Sequence, residues 1–265
     1  MSVKKLSIII VTYNSSNEIE QVIQSILKTV YELDYEIIVV DNNSRDDTVS
    51  KISGISTKIR LISNKKNVGF ANANNQGFQV AQGDFILILN PDIILTSETK
   101  LKDLCERLTQ DRRIGIIAPR LNYSDGSIQE SVRGFPSLTL QLIRMMKIDG
   151  LFRNSQYYRN YMVSDKDMNK ESFVDWVIGA FMLIRKELLF EVGLFDKQYF
   201  MYMEDADLCV NLRKRGYKIC YSPQFSAIHA YKRESSKGIL SSLKWFHIIS
   251  SIRFYLKHGY KNPHE

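Results

Sequence analysis

The chain is poor in the features that would mark several common kinds of protein. It has 3 cysteines in 265 residues, Cys105, Cys209 and Cys220, with no CxxC pair and an odd count. That argues against a disulfide framework and fits a reducing compartment. Only 5 prolines and 13 glycines occur, in no low-complexity tract, so neither a collagen-like nor a disordered chain fits. No apolar run approaches the roughly 20 residues that cross a bilayer. The longest lie near Trp176–Ile184 and Trp245–Ile252, and the run Leu6–Val11 is too short for a signal-peptide core. The expected location is the cytoplasm, with a peripheral position on the inner face of the membrane as a variant. Missing as well are GxGxxG after the first strand and GxxxxGK[ST] anywhere. A Rossmann dehydrogenase or a P-loop NTPase needs such a loop to bring backbone amides onto phosphate. A nucleotide bound here would need another neutralising device, and a carboxylate-held Mg²⁺ or Mn²⁺ is the obvious one.

The composition that is present is globular, with 44% hydrophobic and 25% charged residues. Net charge is +7, but its distribution is uneven. From Arg213 to the end there are eleven Lys or Arg and two acids, a local +9, while the remainder sums to −2. A basic tail region carries the whole excess, which suggests a polyanionic partner.

Apolar runs and helical periods alternate over the first 115 residues. Leu6–Val11, Glu36–Val40, Lys58–Ile62, Phe85–Leu89 and Ile114–Ala118 read as strands covered on both faces, because they show no polar alternation. Ile19, Val22, Ile23, Ile26 and Leu27 fall on one helical stripe, with Ser16 or Asn17 as a cap. Further helices are expected from Thr48, over Asn72–Ala81 and over Thr99–Gln110. This order predicts a parallel α/β sheet. Beyond it, residues 120–172 are polar, with Tyr157, Tyr158 and Tyr161 in a stretch that reads as a mobile loop. Lys186–Val192 and Asp205–Arg215 read as helices, Ile219–Tyr221 as a short strand, and Gly238–His258 as a helix without one clean apolar face.

In such sheets ligands bind at the carboxyl ends of the strands. Those ends carry Thr12-Tyr13-Asn14, Asp41-Asn42-Asn43-Ser44 and Asn90-Pro91-Asp92. Any one of them also reads as an ordinary turn, but three in succession point to a shared crevice. Glu204, Asp205 and Asp207 either complement a helix dipole or, enclosed by Phe200, Met201, Tyr202 and Met203, supply a tuned general base. His229 sits alone in an apolar context, structural unless a metal lies nearby.

Seven segments occur in an order that resembles a known family: SIIIVTYN (7–14), EIIVVDNNSRDDT (36–48), NVGFANANNQGF (67–78), GDFILILNPD (83–92), DWVIGAFMLIRK (175–186), VGLFDKQYFMYMEDADLCVNLRKRGYK (192–218) and AIHAYKRESS (227–236). They resemble an inverting glycosyltransferase of family 2, in the rhamnosyltransferase-like branch that builds cell-surface polysaccharides. The resemblance implies the GT-A fold, a mostly parallel Rossmann-like sheet flanked by helices. Residues 1–118 would form the nucleotide-sugar half, 119–236 the acceptor and catalytic half of the same domain, and 237–265 a basic helical extension.

The resemblance also implies roles. Thr12, Tyr13 and Asn14 would line the nucleotide pocket, and Asp41 would bond the base edge with Asn43 and Asn67 nearby. Gly69, Asn75 and Gly77 would shape the ribose wall. Asn90 and Asp92 occupy the family's D-x-D position, Asp92 holding Mg²⁺ or Mn²⁺ with help from His229. Asn90 departs from that pattern and leaves one carboxylate fewer for the ion. Trp176, Gly179 and Ala180 would lie on the acceptor side, and Asp205, paired with Glu204, would be the base. The implied partners are a nucleotide-sugar donor, dTDP-L-rhamnose first and a UDP-sugar second, and a glycan or lipid-diphosphate-linked acceptor. Lys232 and Arg233 would close over the donor diphosphate, and the rest of the basic tail would meet an anionic membrane surface. Three other readings compete. A nucleotidyltransferase should carry a basic loop where Ser15–Glu20 has none. A nucleic-acid binder fits poorly, because Trp245, Phe246, Phe254 and Tyr255 are interleaved with apolar residues as in packing. A non-catalytic relative would not be expected to keep Asp92, Glu204, Asp205 and His229. Oligomeric state is left open.

Overall fold

The structure, a computed structural model, describes residues 5–55, 59–135, 143, 148–152, 154–163, 165–230 and 242–259. Its first strands are β1 (Leu6–Thr12), β2 (Tyr35–Asp41), β3 (Ile59–Ser63) and β4 (Phe85–Leu89), separated by α1 (Ile19–Thr29), α2 (Thr48–Ser53) and α3 (Phe70–Val80). β1 pairs in parallel with β2 on one side and β4 on the other, and β2 with β3. Leu6, Ile8 and Ile10 pack with α1 on one face, while Ile9 and Val11 pack with α3 on the other. Covering on both faces is why the middles of β1, β2 and β4 are apolar without alternation; β3, expected to be covered likewise, is the edge strand and leaves Arg60 and Ser63 exposed. Neither Ser16 nor Asn17 caps α1. Glu18 stands at the cap without a side-chain bond, and the Ser16 N–H donates to Asp46 instead.

The chain continues through β5 (Ile93–Leu95), α4 (Leu101–Gln110), β6 (Ile114–Asn122), β7 (Val132–Arg133), a 3-10 turn at Asp149–Phe152, and α5 (Gln156–Met162). It closes with β8 (Ser172–Val174), β9 (Trp176–Val177), β10 (Phe181–Arg185), α6 (Lys186–Val192), α7 (Glu204–Lys214), β11 (Lys218–His229) and α8 (Ser242–His258). Strand order in the main sheet is β3-β2-β1-β4-β10-β6-β11-β5, with β8 beside β11; β7 and β9 form a separate pair. β10 runs antiparallel to both β4 and β6. The sheet is therefore parallel through its first half and mixed beyond, and β6 runs unbroken through residue 118.

Two expectations change. The Tyr-rich stretch is a helix, not a loop: Ser155 accepts from the Tyr158 N–H at the start of α5, and Tyr158 and Tyr161 are buried. The short strand at Ile219–Tyr221 is the first part of the 12-residue β11. Pro223 hides the continuation, since proline normally ends a paired strand. The register shift between Ser222 and Ser226 accommodates it. All three cysteines are free and buried. Among the described residues, no helix is long and apolar enough to cross a membrane. Lys232, Arg233 and Lys261 lie outside the described residues.

Candidate functional site

Parallel pairing sets Thr12 opposite Asp41 and brings the ends of β1, β2 and β4 to one edge. Thr12, fully buried, donates its hydroxyl to Asp41 Oδ1 at 2.8 Å. Ser44 gives Asp41 two more bonds, from its hydroxyl to Oδ1 at 2.5 Å and from its N–H to Oδ2 at 2.9 Å. Thr12 and Asp41 thus brace the crevice floor, a role that composition did not reveal. The Ser44 hydroxyl also accepts from the Asn14 N–H at 2.8 Å, and Asn14 Oδ1 accepts from the Arg45 N–H at 2.8 Å. Asn14 and Asn43 both adopt positive φ, at 53° and 67°. Left-handed backbone outside glycine concentrates where function constrains a loop. Tyr13, half exposed, and Asn14, Asn43 and Arg45, exposed, face solvent here.

The opposite wall is the turn into α3. Asn67 Oδ1 accepts from the Gly69 N–H at 2.9 Å, and Asn42, which sequence reasoning named only as part of a turn, donates to Gly69 O at 3.3 Å. Gly69 has φ +84°, and a Cβ there would lie 2.3 Å from Phe200 O. The same carbonyl accepts from the Phe70 N–H at 2.8 Å, so this turn is clamped onto the loop that leads to α7. Asn75, expected on the ribose wall, is buried with both ends of its amide engaged by Phe195. Its amide donates to Phe195 O at 2.8 Å and accepts from the Phe195 N–H at 3.1 Å. Gly77 lies under the sheet, where a Cβ would come within 2.6 Å of Ile9.

Asp92 and His229 are brought together by the pairing of β5 with β11, which sets Ile93 opposite His229. Asp92 Oδ1 is buried without a hydrogen-bond partner and stands 3.2 Å from His229 Nε2. His229 Nδ1 lies 2.8 Å from Gln129 Oε1. That amide oxygen only accepts, so Nδ1 carries a proton and Nε2 is the ring atom turned toward Asp92. With Nε2 unprotonated the two atoms are spaced as adjacent ligands on a small divalent ion, whose bonds of about 2.1 Å put neighbouring donors about 3 Å apart; with Nε2 protonated they form an ion pair. Gln129, a second-layer group, was not foreseen. Among the described residues no cluster of three or more His, Cys, Asp or Glu accompanies the pair, so further oxygens would have to come from ligand.

The acid cluster begins α7. Tyr202 and Met203 precede it in consecutive left-handed conformations, φ 72° and 69°. Asp205 Oδ2 accepts from the Gly179 N–H at 2.7 Å and Oδ1 from the Ala206 N–H at 2.8 Å. Burial raises the Asp205 carboxyl above its ordinary value, against the opposing pull of those two N–H groups. Burial, then the charge of Asp205, pushes Glu204 well above the carboxylate range, and Glu204 Oε2 has no hydrogen-bond partner. Gly179 has no room for a large side chain, since its Cβ would already touch Asp205 and Phe70 at 3.4 Å. Ala180 O accepts from the Asn90 N–H at 2.9 Å. Consecutive residues thus tie Asp205 to the Asn90–Asp92 turn. Trp176 is half-buried beside them. A separate cavity of about 430 Å³ opens between Arg133, Arg159, Arg213 and Phe173, but Arg213 is bonded to Asp175 and Arg159 to Asp165.

The profile of Glycosyl transferase family 2 matches residues 7–192. The N-acetylglucosaminyl-diphospho-decaprenol L-rhamnosyltransferase of Mycobacterium tuberculosis is 27% identical over 257 residues, covering 91% of this chain and 81% of that protein. Rhamnosyltransferase WbbL of Escherichia coli is 28% identical over 257 residues, covering 93% and 91%. Among solved structures, GalNAc-T7 with UDP, GalNAc and Mn²⁺ superposes with a TM-score of 0.68 at 17% identity; the match covers 96% of this chain and 48% of that one. The mannosyltransferase PcManGT of Pyrobaculum calidifontis, in complex with GDP-Man and Mn²⁺, gives a TM-score of 0.65 at 18% identity, covering 99% and 67%. At these identities the structural likeness speaks to the fold.

Proposed function

The chain belongs to glycosyl transferase family 2, and on that premise we propose an inverting sugar transfer in which Asp205 is the general base. The donor is a nucleoside-diphosphate sugar, with dTDP-L-rhamnose the first choice because two relatives carry rhamnosyltransferase names. The acceptor is a glycan or lipid-diphosphate-linked hydroxyl in cell-surface polysaccharide synthesis, which would bring the chain to the inner face of a membrane. The observation that carries the reading is the Asp205 carboxylate, buried at the start of α7, held by the Gly179 N–H and joined through Ala180 to the turn bearing Asp92.

Each step follows from groups already described. Tyr13, Asn14 and Asn43 receive the base and ribose at the rim, over a floor braced by Thr12 and Asp41. Asp92 and His229 would hold a divalent cation, Mg²⁺ or Mn²⁺. When bound, that cation offsets the charge that develops on the departing diphosphate. Asp205, raised above the usual carboxylate value, takes the acceptor's hydroxyl proton as the oxygen attacks the anomeric carbon opposite the leaving group. A raised carboxyl is a stronger base than an ordinary carboxylate, and the Gly179 and Ala206 N–H groups favour its ionised form. Trp176, beside Gly179, supplies an apolar face for the sugar acceptor.

Asp205→Asn should lower transfer by about 10²–10⁴-fold, with nucleotide-induced thermal stabilisation unchanged. Full transfer by the variant overturns the assignment of the base. In the same melting assay with Mn²⁺, stabilisation by dTDP but not UDP supports the rhamnose donor. Stabilisation by UDP alone replaces it with a UDP-sugar.

A further inference from the structure

Helix α8 is inverted relative to an ordinary surface helix. Trp245, Ile249, Ile252 and Leu256 are 58%, 43%, 48% and 72% exposed. Their spacings of four, three and four residues align them on one stripe. The inward side is partly polar. Ser250 and Ser251 are buried, with the Ser250 hydroxyl donating to Met201 O at 2.8 Å. His258 Nε2 lies 2.7 Å from Asp207 Oδ1. Phe254 and Tyr255 are the apolar part of that side, packed with Tyr199, Met203, Ala206 and Val210. Two apolar faces on one helix explain why no single face is readable from sequence. A helix needing only to cover the protein would point its aliphatics inward and its serines out. The outward stripe is a row of four large apolar side chains facing solvent, an arrangement that marks a contact surface.

Charge selects the occupant. The region from Arg213 onward carries +9, and exposed Arg253 borders the stripe, while Lys257 beside it is paired with Asp196 and Asp207. A second copy on the same stripe would set two such regions against each other. An anionic bilayer surface suits both the charge and the apolar row, with Trp245 at a depth that tryptophan favours. We propose that the Trp245–Leu256 stripe of α8 is a docking edge for a membrane surface rich in anionic lipid.

The edge is coupled to the site. Phe246 stacks on Phe200 with ring centroids 4.4 Å apart, and His247 meets Tyr202 at 4.9 Å. The loop Tyr199–Met203 therefore lies between the docking helix and Asp205. A docked chain would hold its base helix near the membrane, where a lipid-linked acceptor is presented. The docking itself does not depend on the transferase reading and is measured without turnover.

The test is flotation with phosphatidylcholine vesicles, with and without phosphatidylglycerol. The wild-type chain should float with the anionic vesicles and shift its tryptophan emission to the blue, a shift that Trp245→Phe removes. The combined variant Ile249→Ser, Ile252→Ser and Leu256→Ser should lose at least about tenfold in partitioning. Its melting temperature and nucleotide response should match wild type, which shows that the fold survives. Equal flotation of wild type and variant, or none by wild type, overturns the proposal. So does a sedimenting dimer that the triple variant dissolves, since the stripe then serves a second copy.

Discussion

Three carboxylates open α7, and their surroundings separate them. Asp205 is held by two backbone N–H groups. Asp207 is surrounded by Lys257, His258, Tyr199 and Asn211. Glu204 Oε2 has no such partner, and burial, then the charge of Asp205, raises its carboxyl well above the ordinary glutamate value. Between that ordinary value and the raised one, the folded chain retains a proton that the unfolded chain has released. Stability contributed by Glu204 therefore falls as pH rises through this window. Glu204→Gln removes the cost of burying the charge. In melting curves from about pH 5 to about pH 8, the variant should lose less stability than wild type and be the more stable at the upper end. At this scale the sequence is informative about placement: Asp205 stands in the first turn of α7 and Asp92 just after β4, as their neighbours in the sequence suggest. Thr12, Asp41 and Asn75 are less so, because a hydroxyl or amide facing a ligand and one facing a neighbouring carboxylate or carbonyl have the same letter. Gln129 was invisible, being set against His229 from 100 residues away.

Among elements, the turn into α3 is the most constrained junction. Gly69 combines φ +84° with a Cβ position 2.3 Å from Phe200 O, so a methyl group there meets both backbone strain and a backbone clash. Gly69→Ala should cost about 2–4 kcal/mol in chemical denaturation. It should also weaken nucleotide binding more than Gly126→Ala, a position of equal φ with nothing near its Cβ. The β-branched strands of the first half and the periodic helices are legible, since period and burial agree there. Elements were missed where a local signal contradicts the tertiary setting. Pro223 interrupts the letters of β11 but not its pairing, and α5 looks like a loop because its buried side is tyrosine rather than aliphatic.

Across the whole molecule, α8 meets α7 both through the apolar contact of Phe254 and Tyr255 with Ala206 and Val210 and through one buried acid, Asp207. Lys257 Nζ lies 2.9 Å from Asp207 Oδ1 and 2.7 Å from Asp196 Oδ2, and His258 Nε2 lies 2.7 Å from Asp207 Oδ1. Removing one member of a buried charged set is expensive because the others keep their desolvation cost. Asp207→Asn should reduce stability by about 2–3 kcal/mol, allowing for the partial exposure of Lys257. Hydrogen exchange should locate the loosening in 242–259 and α7, while β1, β2 and β4 stay protected. Of the eleven basic residues that make the charge asymmetry, α8 holds Lys244, Arg253 and Lys257, and Lys257 is engaged by Asp196 and Asp207.

The reversed direction of β10 has a further consequence. Because β10 is antiparallel to both β4 and β6, the chain leaves the sheet at the end of β6 and re-enters at the start of β10 on the same rim. Among the described residues between Asn122 and Phe181 the chain also rejoins the main sheet where β8 pairs with β11, while Trp176, Gly179 and the β7–β9 pair stand outside it. Variation in that outer part alters what approaches the reactive centre from one side, while the strands that brace the opposite side keep their neighbours and their register.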